Sequence, residues 1–254
     1  DQIFYEITRL ELLPKVPWFY DFDAVLGLAP SNAFSWANTT NPFLMMVSQG
    51  VLDSNVISFG LGASVGGIHA MPGEIMFGGV NEDFYEGEIT WLPLTNVTDS
   101  LATDLPILNG TWQTEARSIS WENLSSESVP LPRYTARLDT GIPWIYVPIT
   151  VYERLNEIIR PERMPWWLDT VNCSRLAELP DVTFDLSGHN FTLKPTDYML
   201  EMMMGDYGGF RCVPVFRPWE QSEWAHDHMI LLGTGFLRAF YTVLDFDRKL
   251  LGCE

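Results

Sequence analysis

Short apolar segments separated by Gly, Pro, Asn and Asp recur along the chain, and this pattern is typical of β-strands joined by turns. The segments that predict strands are Val56–Leu61, Glu74–Phe77, Ile89–Leu92, Ala136–Asp139, Trp144–Val147, Val182–Leu186, Phe191–Leu193 and Phe240–Asp245. Two stretches instead predict short helices: Pro42–Leu52, which is apolar on one face and stops at Gly50, and Thr150–Ile159, with apolar residues at helical spacing. We therefore predict an all-β, mostly antiparallel fold with a few short helices.

A polar stretch divides the pattern into two parts. We predict a first part over 1–94, a linker or insertion over 95–111 and a second part over 112–254. The segments FDAVLGLAP (22–30) and MILLGTGFL (229–237) each place two apolar residues before a Gly. A strand that passes close under another turn needs Gly there, because a side chain would clash. The echo suggests two related lobes, although two ordinary core strands ending in Gly would give the same pattern.

The net charge of the chain limits the classes of molecule that it could bind. The 254-residue chain has a net charge of −18 and a pI near 4.4, which argues against binding to nucleic acid or to an anionic membrane surface. No apolar run reaches the ~18 residues that a membrane-spanning helix needs. The acidic composition suits a protein that works in acid, where carboxylates become protonated. The chain opens on Asp1 without a signal peptide, so we expect it to be already processed.

The asparagines indicate the compartment. Six of the eleven begin an Asn-x-Ser/Thr sequon, where chance would give about one or two. The sequons begin at Asn38, Asn96, Asn109, Asn123, Asn172 and Asn190. We predict a glycoprotein that is secreted or held in the lumen of a vacuole or lysosome, with these sites on its surface. Such compartments permit disulfides, and three cysteines leave one over.

The stretch YTARLDTGIPWIYVP (134–148) carries the candidate chemistry. An apolar strand ends in Asp139-Thr140-Gly141, and the chain then returns into another apolar strand. A carboxylate at such a turn is either a surface turn residue or a catalytic group held at the mouth of a sheet. The tripeptide alone does not decide between them.

Several segments, in order, resemble the pepsin-like aspartic proteases. They are FDAVLGLAP, GEIMFGGVNEDFYEGEITWLPL (73–94), the Asp139 turn with the following VYERLNEII, LPDVTFDLSGHNFTLKPTDYML (179–200) and LLGTGFLRAFYTVLDFDRKLLG (231–252). The resemblance implies a bilobal fold. It identifies 112–254 as the second lobe and 1–94 as the remainder of the first lobe, without that lobe's N-terminal half.

The resemblance also implies a partner. The family has two Asp-Thr/Ser-Gly turns, one per lobe, whereas this sequence has one. The chain thus resembles the heavy chain of a two-chain member, whose light chain would carry the first turn and the flap. By the same resemblance, Cys173 and Cys212 form the second lobe's disulfide. Cys253 would then be left for an interchain bridge, with a free thiol or a crossed dimer as alternatives.

The implied activity is that of an acid endopeptidase acting on peptides or proteins. Two carboxylates that share a proton can activate a water and hydrogen-bond the attacked carbonyl oxygen. Asp139 would be one of them, Thr140 would buttress the opposite turn, and Gly141 would allow close approach of the backbone.

One departure keeps two other functions open. Ile142 follows the turn where the family has Ser or Thr, so a hydrogen-bond donor to the ionised carboxylate is lost. The alternatives are an inactive pepsin-like binding or inhibitor module and a scaffold repurposed for acid–base chemistry on a small molecule. No cofactor or metal is predicted, and His226 and His228 are interpreted as residues of a surface loop.

Overall fold

The computed structural model describes residues 25–29, 41–62, 72–95, 111–122, 126–164, 168–204, 209–219 and 228–254. Their strands form a five-stranded sheet, a seven-stranded sheet and two two-stranded sheets. The strands are β1 (Val56–Gly60), β2 (Glu74–Phe77), β3 (Thr90–Pro93), β4 (Gln113–Glu122), β5 (Ser126–Leu138), β6 (Ile145–Val147), β7 (Glu162–Arg163), β8 (Asp169–Thr170), β9 (Val182–Leu186), β10 (His189–Leu193), β11 (Met199–Met203), β12 (Phe210–Pro214), β13 (Phe216–Pro218), β14 (Met229–Leu232), β15 (Thr242–Asp245) and β16 (Leu250–Cys253). The α-helices are α1 (Pro42–Gln49), α2 (Ile149–Ile159), α3 (Pro195–Tyr198) and α4 (Thr234–Leu237), with 3₁₀ turns at Glu82–Phe84 and Cys173–Glu178. The predicted mostly antiparallel β fold with a few short helices is confirmed.

The seven-stranded sheet has the order β10-β9-β4-β5-β14-β6-β13. Its centre is the long antiparallel pair of β4 and β5, which runs from Gln113 opposite Arg137 to Glu122 opposite Ser126. Strand β14 lies between β5 and β6, parallel to β5 and antiparallel to β6. Two strands that the turn at Asp139 connects are therefore held apart by a third strand from much later in the chain.

The five-stranded sheet combines strands from the first part of the chain with the two C-terminal strands. Its order is β2-β1-β15-β16-β3, so the C-terminal hairpin of β15 and β16 lies between strands from the first part of the chain. Val56–Phe59 of β1 pair with Thr242–Asp245 of β15, and β3 pairs with β16. Strand β2 forms one edge, with Ile75 half-exposed.

Local sequence sets both ends of α1 and the buried face of α2. Asn41 caps α1 by accepting the backbone N–H of Leu44 at 2.9 Å, and Gly50 ends the helix in the left-handed conformation at φ 63°. In α2, Val151, Leu155 and Ile159 are four residues apart and completely buried, because side chains at this spacing lie on one face. None of the helices in the described ranges has the length and apolar character that crossing a membrane requires.

Candidate active site

The turn at Asp139 forms where β5 ends. The backbone N–H of Asp139 donates to the carbonyl oxygen of Leu232 at 3.1 Å, which ties the end of β5 to β14. The Asp139 carboxylate then accepts the backbone N–H of Gly141 at 2.8 Å. A short acidic side chain that bonds the backbone two residues ahead is a common way of fixing a turn. Asp139 itself is partly exposed and Thr140 is exposed, so the carboxylate is reachable from outside the sheet.

Three consecutive backbone groups hold the far side of this turn. The N–H groups of Gly233, Thr234 and Gly235 donate to the carbonyl oxygens of Trp144, Ile142 and Pro143 at 3.1, 2.7 and 3.0 Å, respectively. These donors lie at the start of α4, where the first N–H groups of a helix have no partner within the helix. The turn is thus fixed by backbone hydrogen bonds on both sides.

The backbone at Gly233 and Gly235 lies so close to the Asp139 turn that neither position has room for a side chain. A Cβ atom at Gly233 would clash with the carbonyl oxygens of Ile142 and Trp144. A Cβ atom at Gly235 would lie 2.8 Å from the carbonyl oxygen of Pro143. The prediction that MILLGTGFL needs Gly because it passes close under a turn is confirmed for this segment.

Asp139 has a charged neighbour that was not predicted from the sequence. Arg137 lies two residues earlier on β5, and the charge of Asp139 acts on it. Burial lowers the pKa of Arg137, and the nearby Asp139 carboxylate raises it in part. The signal in the sequence is a charged residue inside an apolar strand close to the turn.

The predicted disulfide is confirmed. Cys173 and Cys212 are bonded, with their Cα atoms 5.1 Å apart. The bond connects the 3₁₀ turn at Cys173–Glu178 to β12. Cys253, on β16, is free and completely buried within this chain. Its interchain disulfide stays a prediction, and a partner cysteine would have to reach the interior of the five-stranded sheet.

The other predicted residues fall into two groups. Asn172 and Asn190 are exposed, and the side-chain oxygen of Asn172 accepts the N–H of Ser174 at 3.1 Å. The sequons at Asn38, Asn96, Asn109 and Asn123 lie outside the described residues, as does His226. His228 packs edge-on against the ring of Tyr134. Within the described ranges, no group of three or more His, Cys, Asp or Glu residues is arranged to hold a metal ion.

Comparisons with known proteins agree with this geometry. The family profile described as eukaryotic aspartyl protease matches residues 2–253. Vacuolar protease A of Neurospora crassa is 31% identical over 252 residues, which is 99% of this chain and 56% of that protein. Cathepsin D of Dictyostelium discoideum is 30% identical over 99% of this chain and 60% of that protein. Gastricsin of Mus musculus is 27% identical over 92% of this chain and 54% of that protein.

The chain thus spans somewhat more than half the length of the curated relatives that it matches. The family match covers nearly the whole chain and includes the Asp139 turn, both strands that it joins and the strand between them. The chain belongs to the eukaryotic aspartyl protease family.

Proposed function

We propose that the complete protein is an acid endopeptidase in which Asp139 is one of two catalytic carboxylates. The complete protein means this chain together with the segment that supplies the second carboxylate. The observation that carries the proposal is the fixed turn: backbone hydrogen bonds from Leu232 through Gly235 hold Asp139 at the end of β5 with its carboxylate partly exposed. Catalytic groups need such positioning before the substrate arrives.

The chemistry follows from two carboxylates placed close together. Like charges about 3 Å apart do not both ionise, so the pair shares one proton. The ionised member takes a proton from a water molecule, whose oxygen attacks the peptide carbonyl carbon. The protonated member hydrogen-bonds the carbonyl oxygen as negative charge develops on it. No covalent enzyme intermediate or cofactor is needed.

In this proposal the second carboxylate comes from a light chain that carries the first Asp-Thr/Ser-Gly turn. The single such turn in this sequence supports a second carboxylate from outside residues 1–254. Residues 1–94 then belong to the first lobe, 95–111 link the lobes, and 112–254 form the second lobe.

Exposed apolar groups in the first part give the light chain a surface to cover. Val25 is 77% and Leu26 is 54% exposed. An open cavity of about 430 Å³ next to the five-stranded sheet adds the rings of Phe84, Tyr85 and Phe240, although the charged residues Glu86, Arg238 and Glu254 line it as well. Burying apolar surface of this kind is the main driving force of stable association.

The proposed location is an acidic lumen or the extracellular space. Relatives named vacuolar protease A and cathepsin D support an acidic compartment. The net charge of −18 suits it as well, because protonation in acid reduces repulsion among the carboxylates. The exposed positions of Asn172 and Asn190 are compatible with glycosylation.

The substitution Asp139→Asn in the complete protein tests the catalytic assignment. An amide cannot take the proton of the attacking water, so hydrolysis of a denatured protein substrate at acid pH should fall at least about 1000-fold. The nearly isosteric change should leave thermal unfolding within a few degrees of the parent. Asp53→Asn, at an exposed position of the first part, is the matched control and should keep full activity. Substantial residual hydrolysis in Asp139→Asn would remove Asp139 from the mechanism.

Ile142 favours one competing function, an inactive pepsin-like binding module. Its side chain offers no hydroxyl to the carboxylate, although its backbone carbonyl oxygen is part of the turn. Inhibitors with a hydroxyl at the position of the attacked carbonyl, such as those of the pepstatin type, distinguish the two functions. Tight binding that Asp139→Asn abolishes supports the protease, and absence of both binding and hydrolysis in the complete protein supports the binding module.

A further inference from the structure

A row of five side chains crosses the seven-stranded sheet on the face opposite the core. Residues at paired register positions point to the same face of a sheet. Successive pairing of β4, β5, β14, β6 and β13 brings into one row Gln113, Arg137, Leu231, Tyr146 and Arg217. Their chain neighbours Ala136, Leu232 and Ile145 are completely buried in the core on the other face.

Arg217, at one end of the row, has partners within the sheet. Its Nη1 donates to the carbonyl oxygens of Pro214 and Phe216 at 2.8 and 2.7 Å. Its guanidinium also lies 3.7 Å from the centre of the Trp144 ring, a favourable cation–π contact. The guanidinium of Arg217 therefore already has partners within the protein and stabilises this part of the sheet.

Arg137 differs. Its Nε and Nη2 are buried, and neither finds a hydrogen-bond acceptor among the residues that the structure describes. Buried charged donors without acceptors are costly, so proteins rarely retain them without a use. Arg137 is also the member of the row nearest to Asp139 in sequence, two residues or about 6.6 Å along the strand direction.

We propose that Arg137 is a specificity-determining residue that binds a substrate carboxylate, the side chain of an aspartate or glutamate close to the scissile bond. The inference rests on the proposed function and deepens it. A guanidinium offers parallel N–H donors that match the two oxygens of a carboxylate. Because Nε and Nη2 of Arg137 have almost no accessible surface in this structure, the carboxylate reaches them only when the side chains that cover them shift. An extended peptide advances about 3.3–3.6 Å per residue, so a group this close to Asp139 meets a side chain within a few residues of the cleaved bond.

Binding to a protein that cannot cleave provides the test. The Asp139→Asn form of the complete protein is titrated with fluorescent peptides in which one Glu, or Gln as its uncharged match, occupies each successive position. At about pH 5.5 a glutamate of ordinary pKa, about 4.3, is ionised. We expect at least one position at which Glu binds about tenfold more tightly than Gln, as charge-assisted hydrogen bonds imply.

Substitutions of Arg137 then test whether this residue causes the preference for Glu over Gln. Arg137→Met in the same background should bring the Glu-to-Gln ratio close to one. Arg137→Lys, which keeps the charge and loses the fork, should leave an intermediate ratio. Arg154→Met is the matched control, because Arg154 is an exposed arginine on α2 that pairs with Glu157 at 3.0 Å. It should leave the ratio unchanged, and thermal unfolding should show that each variant is folded.

The outcomes separate this inference from the proposed function. A ratio near one at every position in the parent, or a preference that survives Arg137→Met, overturns the role of Arg137 and points to a carboxylate of the protein itself as its partner. Hydrolysis by the unsubstituted protein is measured in parallel. An Arg137-dependent preference without hydrolysis keeps the carboxylate site and rejects the protease, whereas hydrolysis without a preference does the reverse.

Discussion

Two segments with the same sequence pattern have opposite environments. In 231–235, Leu232 is completely buried, and Gly233 lies so close to the Asp139 turn that an added Cβ atom would clash with two carbonyl oxygens. In 25–29, Val25 and Leu26 are largely exposed, and a Cβ atom on Gly27 would meet nothing within 4 Å. The segment 25–29 is nevertheless anchored, because Trp112 Nε1 donates to the carbonyl oxygen of Leu28 at 2.8 Å.

These two environments show when the pattern of two apolar residues and a glycine is structurally required. A glycine after two apolar residues is required where a turn passes over it, and the segment 231–235 has such a turn within this chain. The segment 25–29 has the same pattern without anything above it in the described residues. We attribute the exposed copy to the proposed light chain, whose own turn would cover Gly27.

The largest expected effect is that of Gly233→Ala. The new methyl group would push apart the turn and α4, and the opposing atoms are backbone oxygens that cannot rotate away. We expect the free energy of unfolding of the complete protein, measured in urea, to fall by about 4 kcal/mol or more. Gly79→Ala is the control, since its nearest atom is the flexible Met76 Sδ at 3.5 Å. Equal stability of the two variants would contradict the account of the turn.

Removing the disulfide is expected to have the next largest effect. The bond closes a loop of about 40 residues in the second part of the chain, so replacing both Cys173 and Cys212 with Ser should cost about 3–4 kcal/mol. The Asp139 turn is held by backbone hydrogen bonds instead, so activity per folded molecule should stay within about twofold. A large loss of activity in protein shown to be folded would mean that the disulfide also positions the site.

Gly27→Ala asks whether the exposed copy is covered in the complete protein. If a turn lies over Gly27 as the Asp139 turn lies over Gly233, the substitution should lower the free energy of unfolding by about 2 kcal/mol. No described residue lies within 4 Å of that Cβ atom, so such a loss would show that a segment outside the described residues covers Gly27. A change below about 0.5 kcal/mol, as for an ordinary surface site, would mean that the two segments are alike in sequence alone.

Much of the fold could be predicted because its signals are local. The helix α2 was predicted to within one residue from the spacing of Val151, Leu155 and Ile159, and β2 and β9 have the predicted bounds. The helix predicted in Pro42–Leu52 to stop at Gly50 does so: α1 ends at Gln49, and Gly50 takes the left-handed conformation. The turn at Asp139 was also visible in the sequence.

The features that were missed depend on distant contacts. Strand β4 and most of β5 were not predicted. Their alternation of apolar and polar residues is a strand signal in itself, but a bulge between Ala116 and Ser118 interrupts it in β4, and that bulge depends on the pairing with β5 and β9. The same holds for Arg137. Its unpaired donors become apparent only when the register places it on the outer face beside Asp139.

The effect that is smallest at neutral pH, and grows only in alkali, tests how tightly the five-stranded sheet is closed. Cys253 is paired in register with Thr242 and Thr90, and burial raises the pKa of its thiol to about 12, which a hydrogen bond with Thr242 offsets in part. The unfolded thiol ionises near pH 8.5. Because the folded pKa is the higher one, the stability due to the neutral thiol is fully present below about pH 8.5 and is lost as the pH rises towards 12.

Between about pH 8.5 and 12, the free energy of unfolding should fall by about 1.4 kcal/mol per pH unit more in the parent than in Cys253→Ala. Alkylation of the native thiol at pH 8 should be far slower than alkylation in urea. Equal slopes, together with a light chain that is released only on reduction, would instead establish the interchain disulfide and reject the buried free thiol.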